Sequence, residues 1–476
     1  MASIFPGFPD SKPEPAQPAL VERGWVRFWK HLNVVDPFHP SARALSRLHL
    51  LSRLVLVLLG ICLCIAFFFI KRINQPTMVS EALGNPIASL RSGSVDPLYL
   101  VQSSDVELRL SKIYEQIHNN QLNDAQFTVE KLEQDYPNLP VAHMIRGDLL
   151  MAKARALSTI GVGTGQAEER LADLRAEFKA RLLAIQQPPN KEVVPAMLMR
   201  LAEQQKTVLL VDAGRNRMYV YEKKQDVLHY VADYYVSIGK LGTEKSREGD
   251  QKTPLGVYEI TQSLPSEKLP EFYGKAAMAL NYPNEWDVLH GKTGHGIWIH
   301  GVPSPMYARP PLASDGCLVM SNQDVEAITH MVVPGVTQVV ITDHIDWNDA
   351  RSNNQAEAEV SQSLKTWHKD RMQKDWDGFR QHYSSQFAMS SIKPEVLTDT
   401  LKARLVQTSP GAQISNLSIL GSPQSKGMVV TTFDLIQSIN NQTHTEKYRL
   451  YWQKERGNAW KIVYEGVVPV PAELTL

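Results

Sequence analysis

The sequence predicts a multidomain chain with an N-terminal transmembrane helix, an all-α module, a mostly β domain and an α+β domain at the C-terminus. Three observations predict this order. Residues 54–70 are an uncharged apolar run, residues 101–200 carry helical periodicity, and from Lys206 the pattern changes to alternating or apolar β-type runs. A length of 476 residues, of which 43% are hydrophobic, supplies packed cores for about three domains.

Composition excludes several classes of function. Lys plus Arg and Asp plus Glu both number 50, so no overall basic field exists to hold nucleic acid. Cys62 and Cys64 lie inside the apolar run, and Cys317 is the only cysteine in the polar part of the chain. A disulfide framework is therefore excluded. Because His and carboxylate residues do not cluster at zinc spacing, we expect neither a metal nor a cofactor.

The apolar run at residues 54–70 is predicted to be an uncleaved membrane anchor. As a helix it spans about 25 Å of a hydrocarbon core about 30 Å thick. A long segment precedes it and no small-residue cleavage site follows, unlike a signal peptide. Lys and Arg are more frequent before the run than in residues 71–100. We therefore expect a cytoplasmic leader at residues 1–53, a single-pass anchor, and the rest of the chain outside the cytoplasm.

The segment after the anchor is expected to be a linker followed by helices. Residues 71–100 mix prolines with Gly and Ser, which favours a linker. Residues 101–200 predict a helical module with helices near 104–118, 122–135, 140–158 and 166–185. The second and third helices resemble a tetratricopeptide (TPR) pair, in which a proline closes one repeat and opens the next. The TPR-like module would contact protein partners or mediate dimerisation, or serve only as a spacer.

Two further domains follow the helical module. Residues 206–343 predict a mostly β unit with one short helix near residues 323–330. Residues 350–476 predict an α+β domain, because helical periodicity over residues 357–387 precedes four long strand candidates. Turn signals at residues 424–427 and 456–458 predict hairpins between these strands.

The segment from residue 296 to residue 322 carries the chemical signal. A predicted strand delivers His300, and Cys317 follows a glycine at a turn after a proline-rich loop. A thiol attacks as the thiolate, and an imidazole can take its proton. One His and one Cys brought together by a loop would therefore form a nucleophile and its base. The alternative for a single cysteine is an inert, small core residue.

The spacing of these residues resembles the catalytic signature of the L,D-transpeptidase (YkuD) family. The pattern in this chain is His300-Gly301, twelve residues, and then Ser314-Asp315-Gly316-Cys317. The flanking segments that also resemble family motifs are Gly239-Lys240, KTPLGVYEI from Lys252 and NYPNEWD from Asn281. The resemblance covers residues 206–343 and implies a YkuD-type catalytic domain.

The resemblance implies acyl transfer on peptidoglycan stem peptides, in the periplasm and next to the inner membrane. Cys317 would attack the carbonyl of the L-centre at position three, expel the terminal D-residue and form a thioacyl-enzyme. His300 would act first as general base and then as acid, with its ring oriented by the carbonyl of Gly301. The backbone N–H groups of Gly316 and Cys317 would stabilise the oxyanion, and Ser314 would support the turn or the histidine.

One position departs from the family pattern. Most members carry Arg two residues after the cysteine, whereas this chain has Val319. Arg309, in the loop ARPPLAS, is the candidate replacement that would hold the substrate carboxylate, and Asp315 is a second candidate for substrate binding. His290 and His295 flank the site, and we expect both to be solvated.

The C-terminal domain, residues 350–476, resembles the NTF2-like domains that follow some cell-shape L,D-carboxypeptidases of this family. It would bind or position substrate. Four functions stay open: a cysteine L,D-transpeptidase with an amine acceptor, an L,D-carboxypeptidase with water as acceptor, an amidase acting on a protein-to-peptidoglycan link, and a non-catalytic wall-binding scaffold. The acyl acceptor, the oligomeric state, the ligand of the NTF2-like domain and the role of the leader do not follow from the sequence.

Overall fold

The computed structural model of the protein describes residues 97–468, apart from residues 156, 158, 163–167, 348, 349, 386, 388–393, 440, 456 and 458. The expected leader, the expected anchor at residues 54–70 and most of the expected linker lie outside the described residues. Among the helices that the structure describes, none is both long and apolar enough to cross a membrane.

The first helices form a module with its own apolar core. They are α1 (Pro97–His118), α2 (Leu122–Asp135), α3 (Pro140–Ala152) and α4 (Glu168–Gln186). Helix α2 has its predicted bounds, whereas α1 begins inside the expected linker. Helix α3 starts with the predicted proline, whose fixed φ suits a first helical position, but ends before residue 158. The chain folds back there, and the N–H of Gly161 donates to Asp148 at 2.5 Å.

The expected helical module at residues 101–200 is too long at its C-terminal end. Strand β1 (Leu198–Arg200) pairs antiparallel with a strand of the C-terminal domain. Leu198 and Leu201 are buried in a core that both domains share. A short strand of this kind carries too few residues for a periodicity signal, so burial against a distant strand decides its structure.

The domain that follows is built on one twisted, mostly antiparallel sheet. Its elements in chain order are β2 (Thr207–Asp212), β3 (Arg217–Lys224), β4 (Val227–Tyr235), β5 (Ile238–Gly239), β6 (Gly256–Pro265), β7 (Ala276–Leu280), α5 (Glu285–Leu289), β8 (Trp298–His300), β9 (Leu312–Ser314), β10 (Leu318–Val319), α6 (Asn322–Thr329) and β11 (Gln338–Thr342). Within the described chain, the sheet order is β10-β8-β7-β6-β11-β2-β3-β4. Strand β10 therefore forms one edge, and its partner β8 runs parallel to it.

The C-terminal domain packs helices against an antiparallel sheet. Its elements are α7 (Ala350–Gln373), α8 (Trp376–Gln381), α9 (Pro394–Gln407), β12 (Gln413–Ser422), β13 (Met428–Ile439), β14 (Gln442–Lys454) and β15 (Trp460–Val467). The helical stretch predicted over residues 357–387 is two helices, because Lys374 adopts a φ of 54° between them. Helix α9 was not predicted. Trp367, Phe433 and Trp452 fill the core between helices and sheet.

Charged and aromatic contacts join this domain to the preceding one. Arg449 is fully buried, and its guanidinium donates to Glu285 at 3.1 Å. A fully buried guanidinium requires a carboxylate partner of this kind, because an unpaired charge is costly away from water. The ring of Trp286 stacks on Tyr451 with centroids 4.7 Å apart. These contacts hold helix α5 of one domain against strand β14 of the other.

Candidate active site

The register of two parallel strands brings Cys317 and His300 together. Leu318 of β10 lies opposite Ile299 of β8, and Val319 lies opposite His300. Cys317 therefore lies next to Trp298, one residue before β10 begins. Since side chains alternate between the faces of a sheet, Cys317 and His300 project from the same face of neighbouring strands. The register therefore places both side chains on one face of adjacent strands, which the sequence spacing alone could not show.

The imidazole of His300 is oriented and neutral. The side chain is buried, and Nδ1 donates to the carbonyl of Gly301 at 2.7 Å. This is the hydrogen bond expected from the sequence. It fixes the proton on Nδ1 and leaves Nε2 as a proton acceptor. Burial lowers the pKa of His300 to about 4, and the charge of Arg309 acts in the same direction. The ring is therefore available as a base at neutral pH.

Asn322 at the start of α6 holds the backbone that orients His300. Its Oδ1 accepts from the N–H of Lys275 at 3.0 Å and from that of Val302 at 3.2 Å. Its Nδ2 donates to the carbonyl of Val302 at 2.8 Å. A side chain at Gly301 would overlap Asn322 Oδ1, so glycine is required there by close approach. The sequence offered no signal for Asn322, because its role depends on three tertiary hydrogen bonds.

The thiol of Cys317 lies at the edge of a small apolar cluster. Burial raises its pKa, whereas the backbone N–H of Trp298 and the charge of Arg309 oppose this rise by favouring the thiolate. Sγ also approaches the carbonyl of Gly296 at 3.5 Å. Because the pKa of the thiol is raised and that of His300 is lowered, the resting pair is neutral. A nucleophilic role for Cys317 would therefore require proton transfer to a base as the new bond forms, and His300 is the candidate.

The turn before Cys317 is held by its own serine. Ser314 Oγ donates to the carbonyl of Cys317 at 2.6 Å and accepts from the N–H of Gly316 at 3.1 Å. Of the two roles expected for Ser314, support of the turn is the one seen. In the structure the N–H of Gly316 is therefore bonded to this serine inside the turn. Its expected role toward an oxyanion, like that of the N–H of Cys317, stays a prediction.

Gly316 is required by conformation and by space. Its φ of +127° lies in the region that favours glycine, and a Cβ would lie 2.6 Å from the carbonyl oxygen of Lys252. The fully buried Thr253 fixes this approach, since its Oγ1 donates to the carbonyl of Gly316 at 2.9 Å and accepts from the N–H of Gly239 at 2.9 Å. Thr253 is thus a positioning residue within the flanking motif that begins at Lys252.

Arg309 lies within electrostatic reach of the candidate nucleophile and base. Its guanidinium carbon is 4.7 Å from the ring centroid of Phe272, and that ring lies 5.9 Å from the imidazole of His300. Burial lowers the pKa of Arg309, while Cys317 and Asp315 act to raise it. Val319, which replaces the arginine of the family pattern, is buried opposite His300. Arg309 thus contributes positive charge at this site, and Lys245 acts on the Cys317 thiol in the same direction.

Asp315 and the two flanking histidines lie on the surface. Asp315 is exposed and accepts from Lys240 and from Gln251, each at 3.0 Å. The hydrogen bond from Lys240 lowers its pKa. His290 and His295 are exposed, as expected. Asp315 therefore has protein partners in the structure, and a role in substrate binding would require exchange of one of them.

Two grooves lie away from this cluster. One, of about 680 Å³, lies between the two domains and includes Lys245, Trp286 and Gln424 in its lining. The other, of about 1220 Å³, includes Lys223 and His368. In the part of the chain that the structure describes, no group of three His, Cys, Asp or Glu side chains is arranged to hold a metal ion.

Comparison with known families matches two segments of the chain. Residues 206–341 match the L,D-transpeptidase catalytic domain (YkuD), and residues 359–466 match the Cds6 C-terminal NTF2-like domain. YafK of Escherichia coli strain K12, named as an L,D-transpeptidase, is 32% identical over 94 residues. That alignment covers 20% of this chain and 33% of YafK, so this chain spans about a third of the length of the curated relatives it matches.

Solved structures share the fold. The helical cell shape determining protein Pgp2 from Campylobacter jejuni is 22% identical, with a TM-score of 0.50 over 57% of this chain and 95% of that one. Bd1075 of Bdellovibrio bacteriovorus is 22% identical, with a TM-score of 0.48 over 58% of this chain and 99% of that one. The two family matches confirm the resemblance seen in the sequence: this chain carries a YkuD L,D-transpeptidase domain followed by a Cds6-type NTF2-like domain.

Proposed function

We propose that the protein is a peptidoglycan-remodelling cysteine L,D-transpeptidase that acts on stem tetrapeptides through a thioacyl-enzyme. The observation that carries the proposal is the placement of Cys317 beside a buried, neutral His300 whose Nδ1 is occupied by the carbonyl of Gly301. An inert core cysteine has no need of an oriented base on the neighbouring strand. This arrangement favours a catalytic domain over a silent wall-binding scaffold.

The first half-reaction forms the thioester. As Sγ of Cys317 adds to the carbonyl carbon of the L-centre at position three, its proton passes to Nε2 of His300. The bond from that carbonyl carbon to the nitrogen of the terminal D-residue then breaks, and the imidazolium gives its proton to the departing amine. The N–H of Cys317 stabilises the negative oxygen of the tetrahedral intermediate, and the Arg309 charge favours the thiolate.

The second half-reaction releases the acyl group. An acceptor amine gives a proton to Nε2 of His300 as its nitrogen attacks the thioester carbon, and the sulfur departs and regains the proton. Water would follow the same path and yield an L,D-carboxypeptidase. The carboxylate of the stem peptide would be held by Arg309, whose guanidinium lies over the ring of Phe272. Arg309 would thereby replace the arginine of the family pattern, whose position is Val319 in this chain.

The test is mass spectrometry of muropeptides after the full-length protein is incubated with tetrapeptide-rich peptidoglycan. We expect new 3-3 cross-links with wild type and none with Cys317→Ala. His295→Ala is the matched control, because His295 is exposed and lies outside the proposed machinery. Full activity of Cys317→Ala would refute the proposal. Cys317-dependent loss of the terminal D-residue without cross-links would reassign the enzyme as a carboxypeptidase, and unchanged muropeptides would favour the scaffold or amidase alternatives.

We also propose that the catalytic domain acts in the periplasm, tethered to the inner membrane through residues 54–70. The uncharged run and the bias of Lys and Arg toward its N-terminal side support this orientation. Protease added to spheroplasts should degrade the catalytic domain and spare an epitope tag at the N-terminus. Protection of the catalytic domain would contradict the orientation.

A further inference from the structure

The loop that carries Arg309 runs from residue 301 to residue 311 and joins β8 to β9; it is called here the Arg309 loop. Its C-terminal end is fixed to the catalytic sheet. Ser237 Oγ donates to the carbonyl of Pro310 at 2.5 Å, and Asn216 Nδ2 donates to that of Pro311 at 3.0 Å. These contacts anchor the end of the loop, but they do not reach its middle, which lies toward the helical module.

The helical module holds the middle of the Arg309 loop. The ring of Tyr307 meets the ring of Tyr136 edge to face, with centroids 5.6 Å apart, and packs against the apolar core of the module. Burial raises the pKa of Tyr307 well above its usual value. Asn138, between α2 and α3, donates through Nδ2 to the carbonyl of Ser304 at 3.3 Å. An aromatic pair of this geometry contributes about 1 kcal/mol beyond its buried area.

A second chain of contacts reaches Arg309 from α4. The guanidinium of Arg181 lies 4.2 Å from the ring centroid of Tyr235, and it is fixed by Glu107 of α1 at 2.6 Å and Glu177 at 2.9 Å. The hydroxyl of Tyr235 in turn donates to the carbonyl of Arg309 at 2.9 Å. The backbone of Arg309 is thus bonded to a tyrosine whose ring lies against a buried charge cluster of the helical module.

We propose that the helical module is a positioning element of the active site, which holds the Arg309 loop so that the guanidinium of Arg309 faces Cys317 and His300. Tyr307, Tyr136 and Tyr235 are then positioning residues, because they act through Arg309 and touch no reacting atom. The role of Arg309 toward substrate rests on the proposed function. The positioning itself does not, since the charge of Arg309 acts on the thiol without substrate.

The experiment measures the charge that Cys317 experiences. The full-length protein is alkylated with iodoacetate, which is anionic, and with iodoacetamide, which is neutral, and the peptide that contains Cys317 is quantified by mass spectrometry. The ratio of the two rates reports the local positive potential. A unit charge a few ångströms away in a water-like dielectric changes such a ratio about fivefold. We expect Arg309→Ala to lower the ratio by about that factor.

The module variants test the coupling. We expect Tyr136→Ala to lower the ratio severalfold and Tyr136→Phe to restore it, because the phenylalanine ring keeps the contact with Tyr307. Phe127→Ala is the matched control, since Phe127 is an exposed aromatic residue on α2, the helix that ends immediately before Tyr136. In an Arg309→Ala background, Tyr136→Ala should have no further effect on the ratio. Tyr307→Ala, on the loop side, provides the same test should Tyr136→Ala fail to fold.

Three results would overturn the inference. They are an unchanged ratio in Arg309→Ala, an unchanged ratio in folded Tyr136→Ala and Tyr307→Ala, and equal losses in Tyr136→Ala and Phe127→Ala. If the ratios follow the expectation and peptidoglycan is not turned over, the positioning stands and the proposed function fails. The two proposals are therefore separable.

Discussion

Thr253 offers the sharpest test of how the turn before Cys317 is held. Thr253→Val keeps the shape of the side chain and removes only the hydroxyl, so it leaves almost no cavity. It breaks the bond to the carbonyl of Gly316 and the bond from the N–H of Gly239, both 2.9 Å long and both at a fully buried side chain. Each partner group is then left without its hydrogen bond away from water.

The expected loss follows from these two groups. An orphaned buried donor or acceptor costs about 1–3 kcal/mol, so two of them should lower the free energy of unfolding of the catalytic domain by about 2–6 kcal/mol. With a urea dependence of about 2 kcal/mol per M, the unfolding midpoint should fall by about 1–3 M. Relaxation of the turn should also lower the acylation rate of Cys317 by about tenfold or more, because catalysis requires the sulfur in a fixed position.

The assay must report on the catalytic domain alone, because a multidomain chain does not unfold in one step. Pulsed alkylation of Cys317 at increasing urea, followed by mass spectrometry of its peptide, meets this need. Thr253→Ser is the control: it keeps the hydroxyl and removes one methyl group, at a cost of about 1 kcal/mol. Wild-type midpoints and rates in Thr253→Val would show that the two hydrogen bonds do not hold the turn, and equal losses in the Ser and Val variants would assign the effect to packing.

Three further predictions concern the same site. Gly316→Ala should abolish most activity, because φ is +127° and the new Cβ would lie 2.6 Å from the carbonyl oxygen of Lys252; muropeptide analysis measures this. Asn322→Asp should lower the rate while leaving the shape nearly unchanged, because it replaces the donor to the carbonyl of Val302 by a charged acceptor; kcat should fall more than KM changes. The buried His300 predicts acid sensitivity: its pKa falls from 6.5 to about 4 on folding, so the unfolded chain binds the proton first as pH decreases. The contribution of His300 to the free energy of unfolding is fully present above pH 6.5. It should decline by about 3 kcal/mol between pH 6.5 and pH 4, as measured by urea midpoints.

Each of these predictions has a control variant or a result that would contradict it. Gly335→Ala shares the positive φ of Gly316 but meets no atom within 4 Å, so it separates strain from overlap. For Asn322, a wild-type rate in Asn322→Asp would show that the hydrogen bond from Asn322 to the Val302 carbonyl is not needed for activity. His300→Gln should flatten the acid limb of the stability profile, and an unchanged limb would assign the pH dependence to another group.

The sequence predicted which residues form the candidate site, but it did not predict the residues that hold them in place. The spacing of His300 and Cys317 and the bounds of α2 followed from local pattern, because both depend on neighbouring residues along the chain. Thr253 and Asn322 could not be predicted, since each acts through hydrogen bonds to backbone groups that are distant in sequence. The hydrogen bond from the N–H of Gly316 to Ser314 was not predicted either, because nothing in the motif shows it, and the oxyanion role expected for this N–H stays a prediction.

The contacts between domains could not be predicted from local sequence patterns either. The helical module was expected to contact other proteins or to act as a spacer, and its contacts with other proteins stay a prediction. Its packing on Tyr235 depends on a tertiary contact of the Arg181 guanidinium with that ring, and its packing on Tyr307 depends on a contact between two aromatic rings. A periodicity argument tells which face of a helix is apolar, but it does not tell which neighbour covers that face.

The position of β1 makes the catalytic domain an insertion within the fold of its C-terminal neighbour. Leu198 and Arg200 pair with β12, so one edge of the C-terminal sheet is provided by residues that precede the catalytic domain in the chain. During synthesis β1 has no partner strand until β12 has left the ribosome, which happens only after the whole catalytic domain has been made. A fragment that starts after β1 would expose the edge of β12, and open strand edges promote aggregation. Expression of the C-terminal domain should therefore succeed best when β1 is supplied with it.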